Sequence, residues 1–329
     1  MIKAVLKVLF AAAIVTWLLK SGKLDFSLVG ESIRSGWSWL ICIMLIVVQA
    51  AVSGLRWRIL LKIKSTAKLP ILSMFKLTWI GLFFNSVLPG AVTGDLIKLV
   101  YARDLDRELD RTFLVTTALV DRILGLIGLL FLLGMFSIFN YSELASYGDK
   151  MRTILHFNFI LFAGVIFFLA LLFLPEKITL PIRDYMSKIP LLGAKIKKTL
   201  DQVWLIGADK KAIIKCLLIS VALQFSNVLG FWIITAPFYG HELSMMQIFT
   251  FVPLGQMAVA VPISPAGIGV GHVIFETLFS FVGIPRGASL FNLYFLCVVF
   301  VNIMGFFPYV LSGKKHDLNE ANKLEEELS

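Results

Sequence analysis

Charged residues are scarce in this sequence. Only 16% of the 329 residues are charged and 58% are hydrophobic, whereas soluble domains are nearer one quarter charged and one half apolar. Stretches of about twenty residues, such as 153–174 and 290–311, contain no Asp, Glu, Lys or Arg. A helix of that length crosses the ~30 Å hydrocarbon core of a bilayer. The sequence therefore predicts membrane helices and excludes a soluble domain.

Cysteine and cofactor motifs are also poorly represented. The three cysteines, Cys42, Cys216 and Cys297, lie far apart in apolar runs, and no pair has the spacing of a metal or redox site. We interpret them as buried apolar side chains. The Gly-rich segment 267–271 follows no predicted strand, so it is not a nucleotide fingerprint. We expect no metal, no cofactor and no ATP site.

The net charge of +10 is concentrated beside the hydrophobic runs. Segments 54–76 and 175–211 are rich in Lys and Arg, whereas 140–152 holds two such residues and 237–246 holds none. The positive-inside rule places the first two segments in the cytoplasm and the other two outside. Both termini are then cytoplasmic. Basic clusters beside membrane spans favour contact with anionic lipid headgroups over binding to nucleic acid.

These patterns predict an all-α polytopic membrane protein with about six full spans. The spans lie near residues 4–20, 37–54, 113–139, 153–174, 212–236 and 289–311. Two further apolar regions, 71–92 and 246–283, are broken by Pro and Gly. The number of crossings between the cytoplasmic and outer segments requires region 71–92 to enter and leave the membrane on the cytoplasmic side. It requires region 246–283 to enter and leave on the outer side. Each is therefore predicted to be a re-entrant hairpin or a pair of tight helices.

The two broken regions are predicted to approach the membrane centre from opposite sides, one in each of two oppositely oriented halves of the chain. One transmembrane domain is predicted for residues 1–312, with inverted halves at about 37–139 and 212–311. The basic segment 175–211 forms a cytoplasmic loop, and 313–329 forms a cytoplasmic tail. Broken segments at corresponding positions of two inverted halves indicate the binding site of a transporter.

The first broken region contains a cluster of polar and turn-forming residues. Its members are Asn85, Ser86, Pro89, Gly90, Gly94, Asp95 and Lys98. The Pro-Gly pair would turn the chain, and Gly94 would allow backbone or ligand to approach closely. Asp95 and Lys98 share a face if a helix begins there. They either line a substrate path or act as a helix cap and a cation that reaches the headgroups.

The second broken region contains a similar cluster. Its members are Ser264, Pro265, Gly267, Gly269, Gly271, His272 and Glu276. His272 and Glu276 lie four residues apart, on one face of a helix. Ionisable residues at membrane depth favour a functional role, and the alternative is a hydrogen-bonded pair that holds two helices together. They have no third metal ligand nearby in the sequence, which disfavours a metal site.

Other polar residues lie within the spans. Asp121 and Arg122 fall about eight residues into a span, so we predict a buried pair in which each residue has its own partner. Gln224 and Asn227, three residues apart, would line a polar path or bond between helices. Arg122 is also a candidate ligand for lipid phosphate, together with the lysine of the first cluster.

A cationic and aromatic triplet follows the span 37–54. It consists of Arg56, Trp57 and Arg58. Amphipathic aromatic and cationic side chains at the end of a span anchor to headgroups. We predict headgroup anchoring here, and specific binding of lipid phosphate is the alternative.

Three motifs together resemble a known family. They read FNSVLPGAVTGD at 84–95, VDRILG at 120–125 and SPAGIGVG at 264–271. The chain resembles the flippase-like transmembrane region of lysylphosphatidylglycerol synthases over roughly residues 5–312. Two positions depart from the family pattern: Thr93 replaces the first Gly of a Gly-Gly-Asp motif, and His272 stands where an acidic residue is common. A histidine there would make the charge of the site sensitive to pH.

The resemblance implies movement of lipids across a bacterial or archaeal cytoplasmic membrane. Family members with a cytosolic domain make lysyl-phosphatidylglycerol and then flip it. The 37-residue basic loop and the 16 residues after Gly313 are each too short for such a domain, so we expect no enzymatic activity. The leading hypothesis is a lipid flippase that acts on a polar lipid. The alternatives are a membrane subunit that partners a separate lipid synthase, an intramembrane headgroup enzyme and, for assembly, a homo-oligomer.

Overall fold

The computed structural model of the protein is helical, without strands in the part of the chain that it describes. It describes residues 16, 20, 27–34, 36–87, 93–174, 177–178, 180–181, 193–239, 243–260 and 267–312. The helices are α1 Ser27–Arg34, α2 Ser38–Leu61, α3 Ile71–Val87, α4 Thr93–Leu105, α5 Arg111–Phe139, α6 Tyr141–Ser146, α7 Asp149–Leu172, α8 Gly193–Ala208, α9 Lys210–Thr235, α10 Met245–Ala260, α11 Val270–Ser280, α12 Gly287–Ile303 and α13 Phe306–Leu311. A 3₁₀ turn, Ala236–Phe238, extends α9.

Five stretches of helix in the described ranges are long and apolar enough to cross a membrane. They are Ser38–Leu61, Arg111–Phe139, Asp149–Ala170, Lys210–Phe238 and Gly287–Leu311. With 22 to 29 residues each, they reach at least ~33 Å, which exceeds the hydrocarbon core. They coincide with five of the predicted spans, and the all-α polytopic fold class is confirmed. The predicted first span, 4–20, lies outside the described residues except at positions 16 and 20.

A pair of packed helices lies at each Pro/Gly-broken region, although the second helix of the first pair, α4, begins at Thr93, just after the predicted region 71–92. In the first pair, α3 and α4 approach so closely that a Cβ on Gly94 would lie 2.0 Å from the carbonyl oxygen of Gly81. In the second pair, α10 and α11 meet where a Cβ on Gly255 would lie 2.4 Å from the ring of Phe275. The connection 88–92 of the first pair and residues 261–266 of the second connection lie outside the described residues. The inverted relation of the two halves stays a prediction.

Helix α5 is the most buried of the five membrane-spanning stretches in the described structure. Half of the residues in its apolar, membrane-spanning stretch are buried inside the protein, against 17% of those in the corresponding stretch of α7. Where α5 crosses α9, a Cβ on Gly128 would lie 2.8 Å from the backbone of Ser220, so only glycine fits this crossing. Helices in lipid gain little from the hydrophobic effect and associate through such close backbone approaches.

Two loops fix the register of α2 relative to α5. The loop 62–70 follows α2, and 106–110 precedes α5. The hydroxyl of Ser65 donates to Asp106 Oδ2 at 2.5 Å, and Asp106 Oδ1 accepts from the backbone N–H of Glu108 at 2.9 Å. The Ser65 hydrogen bond lowers the pKa of the Asp106 carboxyl below its ordinary value. The carboxylate therefore keeps the two loops together at neutral pH.

The first helix pair is joined to the last span. The indole Nε1 of Trp79 in α3 donates to the carbonyl oxygen of Val301 in α12 at 2.7 Å. Asn302 Nδ2 donates to Ser86 Oγ at 2.9 Å. Beyond α12, a Cβ on Gly305 would lie 2.2 Å from the carbonyl oxygen of Trp79. The Trp79–Val301 contact joins residues 222 positions apart.

Part of the predicted basic loop is helical. Helix α8 covers its second half, and Ile206 of that helix is fully buried in the core. Segment 182–192 and the predicted tail 313–329 lie outside the described residues. The basic segment is therefore partly packed against the bundle.

Candidate functional site

A cavity of about 540 Å³ lies inside the bundle. Its walls come from α2, α3, α5, α9, α10, α11 and α12, so both broken regions contribute. Ser86 comes from the first pair, and Gln256 and Phe275 come from the second. The cavity is partly open, and Ala260, a lining residue at the end of α10, is exposed. The volume is in the ~300–1,000 Å³ range of small-ligand sites.

Polar side chains from otherwise apolar helices line this cavity. They are Gln49, Ser53, Arg56, Ser86, Gln224, Asn227, Gln256, Tyr294 and Asn302. Gln224 and Asn227 lie where a polar path was predicted from the sequence. Five others, Gln49, Ser53, Gln256, Tyr294 and Asn302, were not singled out by sequence reasoning.

The cavity-lining residues of α2, which were not predicted from the sequence to line a cavity, do follow a recognisable pattern. Gln49, Ser53 and Arg56 follow the spacing i, i+4, i+7, which places them on one face of a helix. An isolated polar stripe on a membrane span usually faces the interior of the bundle. Gln256, in contrast, belongs to no such stripe in the apolar helix α10, and only the fold shows that it meets Asn227.

Asn227 is the centre of a hydrogen-bond network in the wall. Its Oδ1 accepts from Gln256 Nε2 at 2.9 Å and from the hydroxyl of Tyr294. One turn earlier, Gln224 Nε2 donates to the carbonyl oxygen of Gly125 at 3.2 Å. Helices α5, α9, α10 and α12 are thereby connected through neutral polar groups that face one cavity.

A buried ion pair, Arg56–Asp121, lies at the cavity wall. Arg56 donates from Nε to Asp121 Oδ1 at 2.8 Å and from Nη2 to Oδ2 at 3.1 Å, and the side chains are 8% and 9% exposed. Arg56 Nη1 donates to Ser220 Oγ at 2.8 Å. The guanidinium lies over Gly125, where a Cβ would be 3.4 Å from Nη1. This bidentate geometry is the strong form of an ion pair.

The headgroup role predicted for Arg56 and Trp57 is wrong. Arg56 is 6% exposed and Trp57 is fully buried, so neither side chain lies at the protein surface, where an anchor to headgroups must be. Arg58 is half-buried, and its Nε donates to the carbonyl oxygen of Leu69 at 2.6 Å. The sequence placed the triplet beyond the end of its span, but α2 continues to Leu61 and carries Arg56 into the bundle.

A second charge cluster joins α4 to α5. Helix α4 begins at Thr93, which places Asp95 in its first turn as predicted. Asp95 Oδ2 accepts from Arg122 Nε at 2.5 Å, and Asp95 Oδ1 lies 3.9 Å from Lys98 Nζ. The buried Lys98 also lies over the ring of Trp57, 4.0 Å from its centroid. Its ammonium is therefore held by protein groups inside the bundle.

The prediction of a buried Asp121–Arg122 pair is half right. Asp121 is buried, but the side chain of Arg122 is 41% exposed. Each has its own partner, as adjacent helical residues require. In the described part of the first cluster, Asn85 Oδ1 accepts from the backbone N–H of Gly94 at 2.9 Å, so it caps the start of α4.

His272 and Glu276 both connect α11 to α12. His272 is 2% exposed; its Nδ1 accepts from the backbone N–H of Gly269 at 3.3 Å, and its Nε2 lies 3.4 Å from Asn292 Oδ1. Glu276 Oε2 accepts from the backbone N–H of Ala288 at 3.0 Å. The structure favours the alternative interpretation, in which these residues hold two helices together.

Glycines surround this junction. Gly267 and Gly269 have φ of +74° and +84°, a region that favours glycine. A Cβ on Gly271 would lie 2.5 Å from the ring of Phe291. The predicted path residues Pro89, Gly90, Ser264 and Pro265 lie outside the described residues. Among the described members of the two clusters, Ser86 lines the cavity, as do Gln224 and Asn227 from the span 212–236.

Replacing Glu276 by Ala is expected to lower the free energy of unfolding by about 1 kcal/mol, because the carboxylate satisfies a free N–H at the start of α12 and opposes its dipole. Glu276→Gln, which keeps the acceptor oxygen, should lose less. Unfolding in detergent, followed by circular dichroism, measures the difference. Equal losses for both variants would contradict a capping role.

No group of three or more His, Cys, Asp or Glu side chains that could hold a metal ion occurs in the described segments. What the described site does offer is a neutral polar wall, a compensated ion pair and an opening at the surface.

The chain matches known membrane proteins over most of its length. Residues 4–305 match the model of a family described as the lysylphosphatidylglycerol synthase TM region. Over 269 residues the chain is 22% identical to a UPF0104 membrane protein of Pyrococcus horikoshii. That alignment covers 76% of this chain and 78% of the relative.

Proposed function

The chain belongs to the family of lysylphosphatidylglycerol synthase transmembrane regions, and from this premise we propose that it moves a polar lipid across the membrane. The observation that carries the proposal is the partly open cavity of about 540 Å³, lined by polar groups from both helix pairs. A path of this kind fits a polar headgroup.

In this proposal the headgroup passes through the cavity while the acyl chains stay in lipid. The wall residues exchange hydrogen bonds with the headgroup and replace those it makes with water, which lowers the cost of desolvation. No covalent step and no cofactor are involved, and the lipid gradient, an ion gradient or the membrane potential supplies the energy. The protein works in a bacterial or archaeal cytoplasmic membrane with both termini in the cytoplasm.

A cavity-filling variant tests the proposal. The purified protein is reconstituted in liposomes with acyl-chain-labelled polar lipids, and label in the outer leaflet is quenched chemically. Ser53 lines the cavity and is half-buried, so Ser53→Phe is expected to reduce lipid movement to the rate of protein-free liposomes. Val48 lies on the same helix and is 53% exposed, and Val48→Phe should leave the rate unchanged.

Two outcomes would argue against lipid movement through this cavity. Wild-type protein that moves no polar lipid, although folded, would favour a membrane subunit for a separate lipid synthase. Equal rates for wild type and Ser53→Phe would place any path elsewhere. Product formed by the purified protein from a lipid headgroup would favour an enzyme.

A further inference from the structure

The charge of the cavity wall indicates which headgroups it accepts. Among the described lining residues, Arg56 is the one with a formal charge. Its Nε and Nη2 donate to Asp121 and its Nη1 to Ser220, so a carboxylate inside the protein already compensates its charge. No lining carboxylate is present among the described residues to pair with a cationic headgroup.

The remaining polar wall consists of amides and hydroxyls. Side chains of this kind donate and accept hydrogen bonds without carrying charge, which is the chemistry that recognises hydroxyl groups. The carbonyl oxygen of Gln256 is buried and has no hydrogen-bond partner in the described structure. An unpaired buried acceptor costs free energy, and a ligand hydroxyl in the adjoining cavity is a donor that would satisfy it.

Aromatic rings also line the cavity. Phe275 stacks on Phe231 with ring centroids 5.2 Å apart and on Phe291 at 4.8 Å. Tyr294 lies 5.5 Å from Phe231, and Phe295 lies 5.8 Å from Phe291. A surface of aromatic edges and faces offers apolar contact to the C–H groups of a sugar or polyol, while the amides bond to its hydroxyls.

From this wall we infer that the cavity takes an uncharged, hydroxyl-rich headgroup, such as the sugar of a glycosyl diacylglycerol. The inference rests on the proposed function for its transport role and names the substrate class of the same site. A cationic aminoacyl headgroup would enter without a counter-charge, and an anionic headgroup would compete with Asp121 for a cation that is already paired. Burying an unpaired charge costs far more than burying a hydroxyl that finds a partner.

The test compares four acyl-labelled lipids in proteoliposomes: glucosyl diacylglycerol, phosphatidylethanolamine, phosphatidylglycerol and lysyl-phosphatidylglycerol. The glucosyl lipid is expected to move about tenfold faster than either lipid with a net charge. Gln256→Met, which keeps the shape but removes the amide, should slow the glucosyl lipid by about tenfold, the effect of losing one or two hydrogen bonds.

Asn158 provides a matched control for Gln256. It is a buried amide whose Nδ2 donates to Ser137 Oγ at 3.1 Å and whose carbonyl oxygen also lacks a partner, but it does not line the cavity. Asn158→Leu should leave the order of lipid rates unchanged. If Asn158→Leu alters that order as Gln256→Met does, the amide effect is structural and the inference fails.

A charge variant tests the same site by gain of function. Gln49 Nε2 donates to Ser226 Oγ at 3.3 Å, and because a hydroxyl can rotate and donate instead, Gln49→Glu keeps this contact. The added carboxylate should raise movement of lysyl-phosphatidylglycerol and lower that of phosphatidylglycerol. Unchanged selectivity would contradict the assignment of this wall to the headgroup.

The substrate class and the transport role can fail separately. If a charged lipid moves as fast as the glucosyl lipid, the substrate class is wrong although transport stands. If no lipid moves, the lipids that stay bound to the purified protein after incubation with the same four-component mixture are identified by mass spectrometry. Selective retention of the glucosyl lipid supports the proposed headgroup class without transport. Retention in the proportions of the mixture overturns the inference.

Discussion

Asp121→Ala is expected to lower the free energy of unfolding by about 3–5 kcal/mol, one of the largest effects of any single substitution in this protein. The substitution leaves the guanidinium of Arg56 buried, with 8% of its side chain exposed, and without its carboxylate. The remaining hydrogen bond from Nη1 to Ser220 cannot compensate a full charge. Unfolding of the purified protein in mixed detergent micelles, titrated with a denaturing detergent, measures the loss.

A surface ion pair provides the control for this prediction. Arg152 Nη1 lies 3.4 Å from Asp149 Oδ1, with side chains that are 54% and 96% exposed, and Asp149→Ala should cost less than ~1 kcal/mol. The double variant Arg56→Met with Asp121→Leu should recover most of the loss, because no charge then remains buried. Equal costs for the two single variants, or no recovery in the double variant, would refute the role assigned to the pair.

Gly94→Ala is expected to cost about 3 kcal/mol or more, because one added methyl group has no room at the α3–α4 crossing. Its Cβ would lie 2.0 Å from the carbonyl oxygen of Gly81 and 2.8 Å from the side chain and backbone of Asn85. The helices must separate, which also breaks the cap that Asn85 gives to α4. The same detergent titration measures this effect.

Gly164 is the matched helical glycine. It lies in α7 and is exposed, and a methyl group added there would meet no neighbouring atom within 4 Å outside its own helical turn. Gly164→Ala should therefore stabilise the protein by up to ~1 kcal/mol, since alanine is the better helix former. The two substitutions are thus expected to have opposite signs. A stabilising effect at both positions would show that the α3–α4 crossing is looser than described.

The helical scaffold was predictable because it depends on local properties. Runs without charge must form helices in a bilayer to satisfy their backbone groups, so spans such as 113–139 and 212–236 agree with the structure within a few residues. The possible helix-cap role of Asp95 at the start of α4 was also a local inference, since an acidic residue is favourable in the first turn of a helix. Those predictions needed no knowledge of which helices are neighbours.

The site was harder to predict because it depends on partners distant in the sequence. Arg56 looked like a headgroup anchor since it follows a span, yet its partner Asp121 lies 65 residues away. His272 and Glu276 looked like a charged path, but each bonds to α12 or to the turn before α11. Gln256 carried no signal at all, because its neighbour Asn227 is 29 residues away on another helix.

The contacts between α3 and α12 also impose an order on biosynthesis. Trp79 is inserted early, but its indole finds the carbonyl oxygen of Val301 only after 222 further residues have been made. Tyr309, which contacts Phe84 with ring centroids 5.0 Å apart, arrives later still. While the ribosome translates the rest of the bundle, the first helix pair therefore lacks its contacts with Val301 and Tyr309. Release of the chain's last span into the membrane is the step that completes its first half.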